Sequence, residues 1–145
     1  PLPVTMSCVR DNLGVSTRIS AFLLPLGATI NMDGTALYQG VAALFVAQAF
    51  GIDLTVADGL TIILTCTLAS IGSAAVPGAG LVMLTMVLAS VGLPLEGIGM
   101  IFAVDRIMDM MRTAVNVTGD SMVSVLVAKS ENELDEKIFN KEPQI

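Results

Sequence analysis

DRIMDMMRTAVNVTGD, residues 105–120, is the stretch on which the fold turns. It carries five charges, Asp105, Arg106, Asp109, Arg112 and Asp120, in a chain that is 54% apolar with a mean hydropathy of +0.80. On a helix advancing about 100° per residue, Asp105, Asp109, Arg112, Thr113, Asn116 and Asp120 share one arc of roughly 100°. Ile107, Met108, Met110, Met111 and Val115 point elsewhere. The wet face of a soluble amphipathic helix would look the same in isolation. The flanks favour another reading, because 97–104 and 122–128 hold no charge and are mostly apolar. Ionisable groups inside an apolar span are costly unless they pair or line a cavity, which makes this arc a candidate site.

The bulk composition agrees. Charged residues are 14% of the chain, against about 25% in an average soluble domain. The net charge of −6 is concentrated at the end, in Glu131, Glu133, Asp135, Glu136 and Glu142. No basic stripe marks a nucleic-acid surface, so no nucleic-acid partner is expected. His is absent, and Cys8 and Cys66 stand far apart, so neither a disulfide framework nor a transition-metal site is expected. Both thiols are predicted to be buried small hydrophobes. The opening Pro1-Leu2-Pro3 has no initiator Met and no signal-like leader, and predicts a piece of something longer.

Outward from the arc, 6–18 reads as a short apolar arm ending in a polar loop, with Arg10, Asp11 and Arg18 around Asn12 and Gly14. No charge falls at 19–32 or 34–52, and the run is broken once, at Asn31-Met32-Asp33-Gly34-Thr35. A bilayer crossing takes about 20 residues. Asn, Asp and Gly in its interior predict a discontinuous helix, unwound where carbonyls face something polar; two soluble helices with a loop between them fit the same letters. After an acidic loop at 53–58, residues 60–95 hold no charge. As one helix they would run about 54 Å, against a hydrocarbon layer of about 30 Å. Pro77-Gly78-Ala79-Gly80 interrupts them near the middle. The halves, 60–76 and 81–95, would rise only about 26 and 22 Å. A re-entrant helical hairpin fits those lengths, its tip tolerated where protein or a water-filled cavity satisfies the backbone. A pair of transmembrane helices with a buried turn stays open. If 97–128 then crosses back, Arg10, Arg18, Lys129, Lys137 and Lys141 fall on one side and Asp53, Asp58 and Glu96 on the other. The positive-inside rule makes the first side cytoplasmic. The polar segment 131–145 is predicted to be a mobile cytoplasmic tail. The expected fold class is an all-α membrane protein with a broken transmembrane helix, a re-entrant hairpin and a final amphipathic transmembrane helix.

Asn31-Met32-Asp33-Gly34-Thr35, the run 70–80 and the run 105–120, in this order, resemble the glutamate/aspartate transporter family, the sodium:dicarboxylate symporters. The resemblance is strongest to prokaryotic Na+-coupled aspartate transporters and extends to about residue 130. It implies a trimer whose protomers each have a scaffold and a moving transport domain, with 1–130 forming the C-terminal part of the latter. In that scheme 1–18 is the second arm of a first hairpin with its cytoplasmic loop. Residues 19–52 are the broken seventh helix, 60–95 the second hairpin and 97–128 the last helix. The resemblance implies that Asp109 takes the substrate ammonium and Arg112 its side-chain carboxylate. Thr35, Thr113 and Asn116 would hydrogen-bond the substrate, and the tip Val76, Pro77, Gly78, Ala79 and Gly80 would close over it.

The same resemblance implies three co-transported Na+ ions. One is held by backbone oxygens of Gly27, Asn31 and Asn116 with the Asp120 carboxylate. A second lies between Thr29, Met32 and the backbone of Ser70, Ile71 and Ser73. A third uses Asn31 and Asp33 with groups outside this chain. Ser73 and Ala75 stand where near relatives carry Thr and Gly; because the hairpin ligands are mainly carbonyls, little change in chemistry is expected. Proton-coupled relatives place a Glu at the position of Gln39, so sodium coupling without proton symport is implied. Family members with a small neutral residue in place of Arg112 prefer neutral amino acids, so Arg112 favours aspartate or glutamate. The chemistry is compatible: Na+ as a hard cation suits oxygen ligands, and the planar guanidinium fork matches a carboxylate as Lys would not. Asp105 is expected to pair with Arg112 when the site is empty.

The function expected is secondary active transport of L-aspartate or L-glutamate with Na+ by an elevator motion, in a multi-pass cell-membrane protein. Its partners would be an acidic amino acid, the lipid bilayer and two further copies through the scaffold. Other dicarboxylates or neutral amino acids are the alternative substrates. A hydrolase built on Asp105 and Asp109 would lack His and any nucleophile motif, so no enzyme is expected. A non-transporting membrane subunit would not need Asp33, Asp109, Arg112 and Asp120 within apolar sequence.

Overall fold

The apolar runs and their interruptions set the element boundaries. In the computed structural model, which describes residues 1–73 and 79–141, the helices are α1 (Leu2–Asp11), α2 (Thr17–Ile30), α3 (Asp33–Ala49), α4 (Val56–Ile71), α5 (Ala79–Ser90), α6 (Ile98–Phe102), α7 (Asp105–Ser130) and α8 (Glu136–Phe139). A 3-10 turn at Leu95–Gly97 leads into α6. Among the described residues there is no strand, and the β pairing is one isolated antiparallel bridge between Val15 and Leu134. The described residues are all-α, the class the sequence predicts.

Local chemistry moves several boundaries. Asn31 and Met32 separate α2 from α3, and Met32 is the N-cap of α3 with φ −103° and ψ 61°. Gly34 and Thr35, expected in the interruption, lie in the first turn of α3. The acidic loop 53–58 is shorter than expected because Thr55 and Asp58 form a capping box that starts α4 at Val56. The Thr55 hydroxyl (2.7 Å) and N–H (2.9 Å) both donate to Asp58, and these bonds to the ionised form hold its carboxyl below the usual range. The segment expected as one helix over 97–128 is divided at Ala103 and Val104. There Val104 N–H bonds the Ile101 carbonyl at 3.0 Å and Ile107 N–H the Val104 carbonyl at 3.1 Å, a tightening to i→i+3 geometry. Helices α3, α5 and α7 end alike, on a residue of left-handed φ: Gly51 (65°), Gly92 (67°) and Asn132 (58°). At the last of these Glu133 N–H reaches the Ala128 carbonyl at 2.7 Å, a Schellman stop.

Among the described residues no helix is long and apolar enough to cross a membrane. Helices α2 to α5 have 12 to 17 residues, rises of about 18 to 26 Å. Helix α7 has 26 residues but contains Asp105, Arg106, Asp109, Arg112, Asp120 and Lys129.

The chain forms two compact units, and the division falls within α2 and within α7. The first comprises 1–28 and the chain from Val117 onward. Its core is Val9, Val15, Ile19, Leu24 and Ala128, with Leu134 packed against it. The segment after Ser130, expected as a polar tail, is bonded to this unit along its described residues. Ser16 N–H bonds the Glu133 carbonyl at 3.2 Å, and Asp135 N–H bonds the Gly14 carbonyl at 2.8 Å. The Glu133 carboxylate pairs with both the Arg18 guanidinium and the Ser16 hydroxyl. Asp135 then caps α8 through the N–H of Lys137 at 2.9 Å. Polar composition hid a docked segment.

The second unit, Thr29–Asn116, is built around α3. Positions 35, 38, 39, 42, 43, 46 and 47 are buried at the three- and four-residue spacing of a helix face. That face packs with Ile62, Cys66 and Ala69 of α4, Leu84, Val87 and Leu88 of α5, and Ile101 of α6. The turn before α6 sits so close that a Cβ on Gly97 would lie 2.6 Å from Val46 Cγ1. Helices α4 and α5 pack on one another; of the tip expected at Val76 to Gly80, residues 76–78 lie outside the described residues. Cys66 is buried as predicted, but Cys8 is exposed on α1, its sulfur 3.5 Å from Asn12 Nδ2.

Candidate functional site

In the second unit α7 sets Asp109 and Arg112 one turn apart, and their side chains form an ion pair. The Arg112 side chain is 10% exposed and that of Asp109 27%. The guanidinium carbon lies 5.5 Å from the centroid of the Tyr38 ring, within cation–π range. Tyr38 also donates its hydroxyl to Asp105 Oδ1 at 2.9 Å. The pairing expected between Asp105 and Arg112 is therefore absent: Asp105, two turns away, is taken by Tyr38, and Arg112 by Asp109. Two opposed charges stand side by side in largely apolar surroundings. That arrangement can receive a zwitterion whose own charges replace the internal pair.

The start of α3 supplies the neutral polar groups. Gly34 N–H donates to Asn116 Oδ1 at 2.8 Å, and Asn116 Nδ2 donates to the Thr35 hydroxyl at 3.4 Å. This approach needs a residue without a side chain, because a Cβ on Gly34 would lie 2.5 Å from the Arg112 carbonyl oxygen and 3.0 Å from Val115 Cβ. Met32 is buried, and its carbonyl accepts the N–H groups of Thr35 (3.0 Å) and Ala36 (3.1 Å). Asp33 is exposed in the first turn of α3, where the helix dipole favours a negative charge. Thr113 is half-buried on α7. A cavity of about 160 Å³ opens between Gly34, Leu37, Tyr38, Val41, Met108, Met111, Arg112 and Val115, with Arg112 the charged member of its lining. Gln39 is fully buried, and neither its amide nitrogen nor its amide oxygen has a hydrogen-bond partner among the described residues.

The residues implied for Na+ divide between the units. Gly27 and Asp120 belong to the first. There α2 runs so close to α7 that a Cβ on Gly27 would fall onto the Asp120 carboxylate, 2.7 Å from Cγ. Asp120 is buried and its carbonyl accepts the Ser124 hydroxyl at 2.8 Å. Thr29, Asn31, Met32, Asp33, Ser70, Ile71, Ser73 and Asn116 belong to the second. Ser70 and Ser73 are buried at the C-terminal end of α4, where helix carbonyls run out of intrahelical partners, and Ile71 is exposed. Ser73 N–H bonds the Ser70 carbonyl at 3.4 Å. Among the described residues no three of Cys, Asp and Glu are grouped to hold a metal ion; the implied ligands are mostly carbonyls. Val76, Pro77 and Gly78 lie outside the described residues, whereas Ala79 and Gly80 open α5. Sequence reasoning missed Tyr38. The letters offered only an aromatic ring one turn after Thr35 on the buried face of α3, which reads as ordinary core.

This chain is similar to known proteins over most of its length. The family model described as the sodium:dicarboxylate symporter family matches residues 1–130. Excitatory amino acid transporter 2 of Mus musculus is 53% identical over 135 residues, 92% of this chain and 24% of that protein. An excitatory amino acid transporter of Caenorhabditis elegans is 53% identical over 126 residues, 87% of this chain and 25% of that protein. Excitatory amino acid transporter 3 of Homo sapiens is 50% identical over 145 residues, 99% of this chain and 28% of that protein. The chain thus spans about a quarter of the length of these curated relatives. With a match of this extent, the chain belongs to the sodium:dicarboxylate symporter family.

Proposed function

We propose that the whole protein is a secondary active transporter of an acidic amino acid, L-aspartate or L-glutamate, driven by Na+, and that this chain is the C-terminal part of its transport domain. The observation that carries the proposal is the Asp109–Arg112 pair in its apolar setting next to Thr35 and Asn116. An amino dicarboxylate offers both complements at once. Its ammonium replaces the guanidinium at Asp109 and its side-chain carboxylate replaces Asp109 at the Arg112 fork. Thr35, Thr113 and Asn116 hydrogen-bond the remaining oxygens, and the segment Val76 to Gly80 closes over the site. No bond is made or broken, so the protein acts as a carrier and not as an enzyme.

Na+ travels as cargo. Carbonyl oxygens of Gly27, Asn31 and Asn116 with the Asp120 carboxylate hold one ion, Thr29, Met32, Ser70, Ile71 and Ser73 a second, and Asn31 with Asp33 part of a third. The tight approach of Gly27 to the Asp120 carboxylate supports the first set. Ions and substrate favour the same closed arrangement, so each raises the affinity for the other. In this scheme 19–52 is a broken membrane helix, 60–95 a re-entrant hairpin and the C-terminus is cytoplasmic. The loaded domain slides across the cell membrane against a scaffold that also forms a homotrimer. Calorimetric titration of L-aspartate into the full-length protein tests this. Binding in NaCl and a loss of about tenfold or more when choline replaces Na+ is expected. No binding in either salt, or equal binding in both, would overturn it.

A further inference from the structure

Gly80 lies in the first turn of α5, buried, with φ outside the left-handed region. Its backbone therefore does not require glycine, and alanine would be the better helix former. What excludes a side chain there is Arg112. A Cβ on Gly80 would lie on Nη1 of Arg112, 2.9 Å from Cζ and 3.5 Å from Nη2. The guanidinium thus fills the volume that an alanine methyl would occupy. Its other contacts are the Asp109 carboxylate and the Tyr38 ring.

We propose that Gly80 is a positioning residue for acidic-substrate selectivity, its missing side chain being the socket that sets where the Arg112 guanidinium points. The contrast with Gly34 makes the case. A Cβ on Gly34 would meet a backbone carbonyl, which cannot yield without moving a helix. A Cβ on Gly80 would meet the far end of a flexible side chain, so α5 keeps its place and the guanidinium moves. A two-bond fork on a carboxylate tolerates little displacement, and a misplacement of about 1 Å can cost two orders of magnitude. Recognition of a side-chain carboxylate should therefore fail while the Na+ ligands, which do not include the guanidinium, keep their geometry.

The inference rests on the transporter reading above. In the full-length protein, Gly80→Ala is expected to weaken Na+-dependent L-aspartate binding by about tenfold or more. The rise in melting temperature that NaCl alone produces is expected to stay as in the wild type. Unchanged aspartate affinity, or a parallel loss of the Na+-induced rise, would overturn the proposal. If Gly80→Ala does not fold, the double variant Gly80→Ala with Arg112→Cys, which empties the socket, is expected to fold, and its failure to do so counts equally against the idea. A wild-type protein that binds no aspartate in NaCl would instead sink the transporter reading, whatever Gly80→Ala does.

Discussion

Gln39 is the residue at which burial and chemistry disagree most openly. It is fully enclosed, yet its amide makes no hydrogen bond among the described residues. An unsatisfied buried polar group costs about 1–3 kcal/mol, so an apolar residue of similar length would be the more stable choice. An amide neither takes up nor releases a proton at ordinary pH, so on the transporter reading proposed above this position gives the carrier no proton to move. Uptake of aspartate by the full-length protein reconstituted in vesicles should therefore leave a trapped pH dye unchanged, and acidification of the lumen would refute this. Gln39→Glu should reverse the behaviour. A carboxyl placed in the same dry site can take up and release a proton, which an amide cannot, and uptake should become dependent on pH. The sequence pointed to this position through resemblance alone; what the structure adds is its isolation. Asp105 teaches the opposite lesson. Helical spacing put it near Arg112, but spacing within one helix is blind to a competitor on another, and the Tyr38 hydroxyl had the shorter reach.

At the scale of elements, the junction of α3 with α7 rests on Gly34. The Gly34 N–H to Asn116 bond and the Asn116 to Thr35 bond join the two helices, and both need α3 to start within touching distance of the Arg112 carbonyl. Gly34→Ala would insert a methyl 2.5 Å from that oxygen. Overpacking against unyielding atoms costs about 1–3 kcal/mol. The variant should have a lower melting temperature than the wild type and should lose Na+-dependent aspartate binding, measured on the full-length protein. Retained binding with unchanged melting would show that the helices can part without harm to the site. The all-α class was legible beforehand, since charge-free runs and their punctuation already spell helices. The boundaries were less so. Thr55 and Asp58 look like loop residues until their reciprocal bonds are seen to begin α4, and nothing in the letters of 97–104 announces the tight turn at Val104. Tyr38 was illegible for another reason: an aromatic residue on a buried helix face is ordinary core until its hydroxyl is found on Asp105.

For the whole molecule, the two units draw their stability from different sources. The second has a large aliphatic core around α3. The first has a small one, supplemented by polar bonds that fasten the segment after α7 to the loop after α1. Composition alone predicted a loose tail there, since acidic residues crowd 131–136. It could not show that Asn132 turns the chain back, so that Glu133 meets Arg18 and Ser16. Glu133 adds two side-chain bonds, through its carboxylate, to the backbone bonds and the Leu134 packing that hold the segment. Its carboxyl is held below the ordinary range, first by the hydrogen bond from Arg18 and then by that from Ser16. Arg18 is shifted upward by the same contact and remains charged throughout. A carboxyl whose folded pKa is depressed contributes stability above its unfolded value, about 4.3 for Glu, and loses it as pH falls through the lower folded value. Docking should therefore be firmest near neutrality and weaken in acid, not in base. Hydrogen exchange of the full-length protein, corrected for intrinsic rates, should show the amides of Glu133 and Asp135 losing protection as pH falls from about 6 to about 3. Glu133→Gln should expose them already at neutral pH and flatten the acid response. Protection that is the same at both ends of that range in the wild type would mean that Leu134 and the backbone bonds hold the segment without help from the carboxylate.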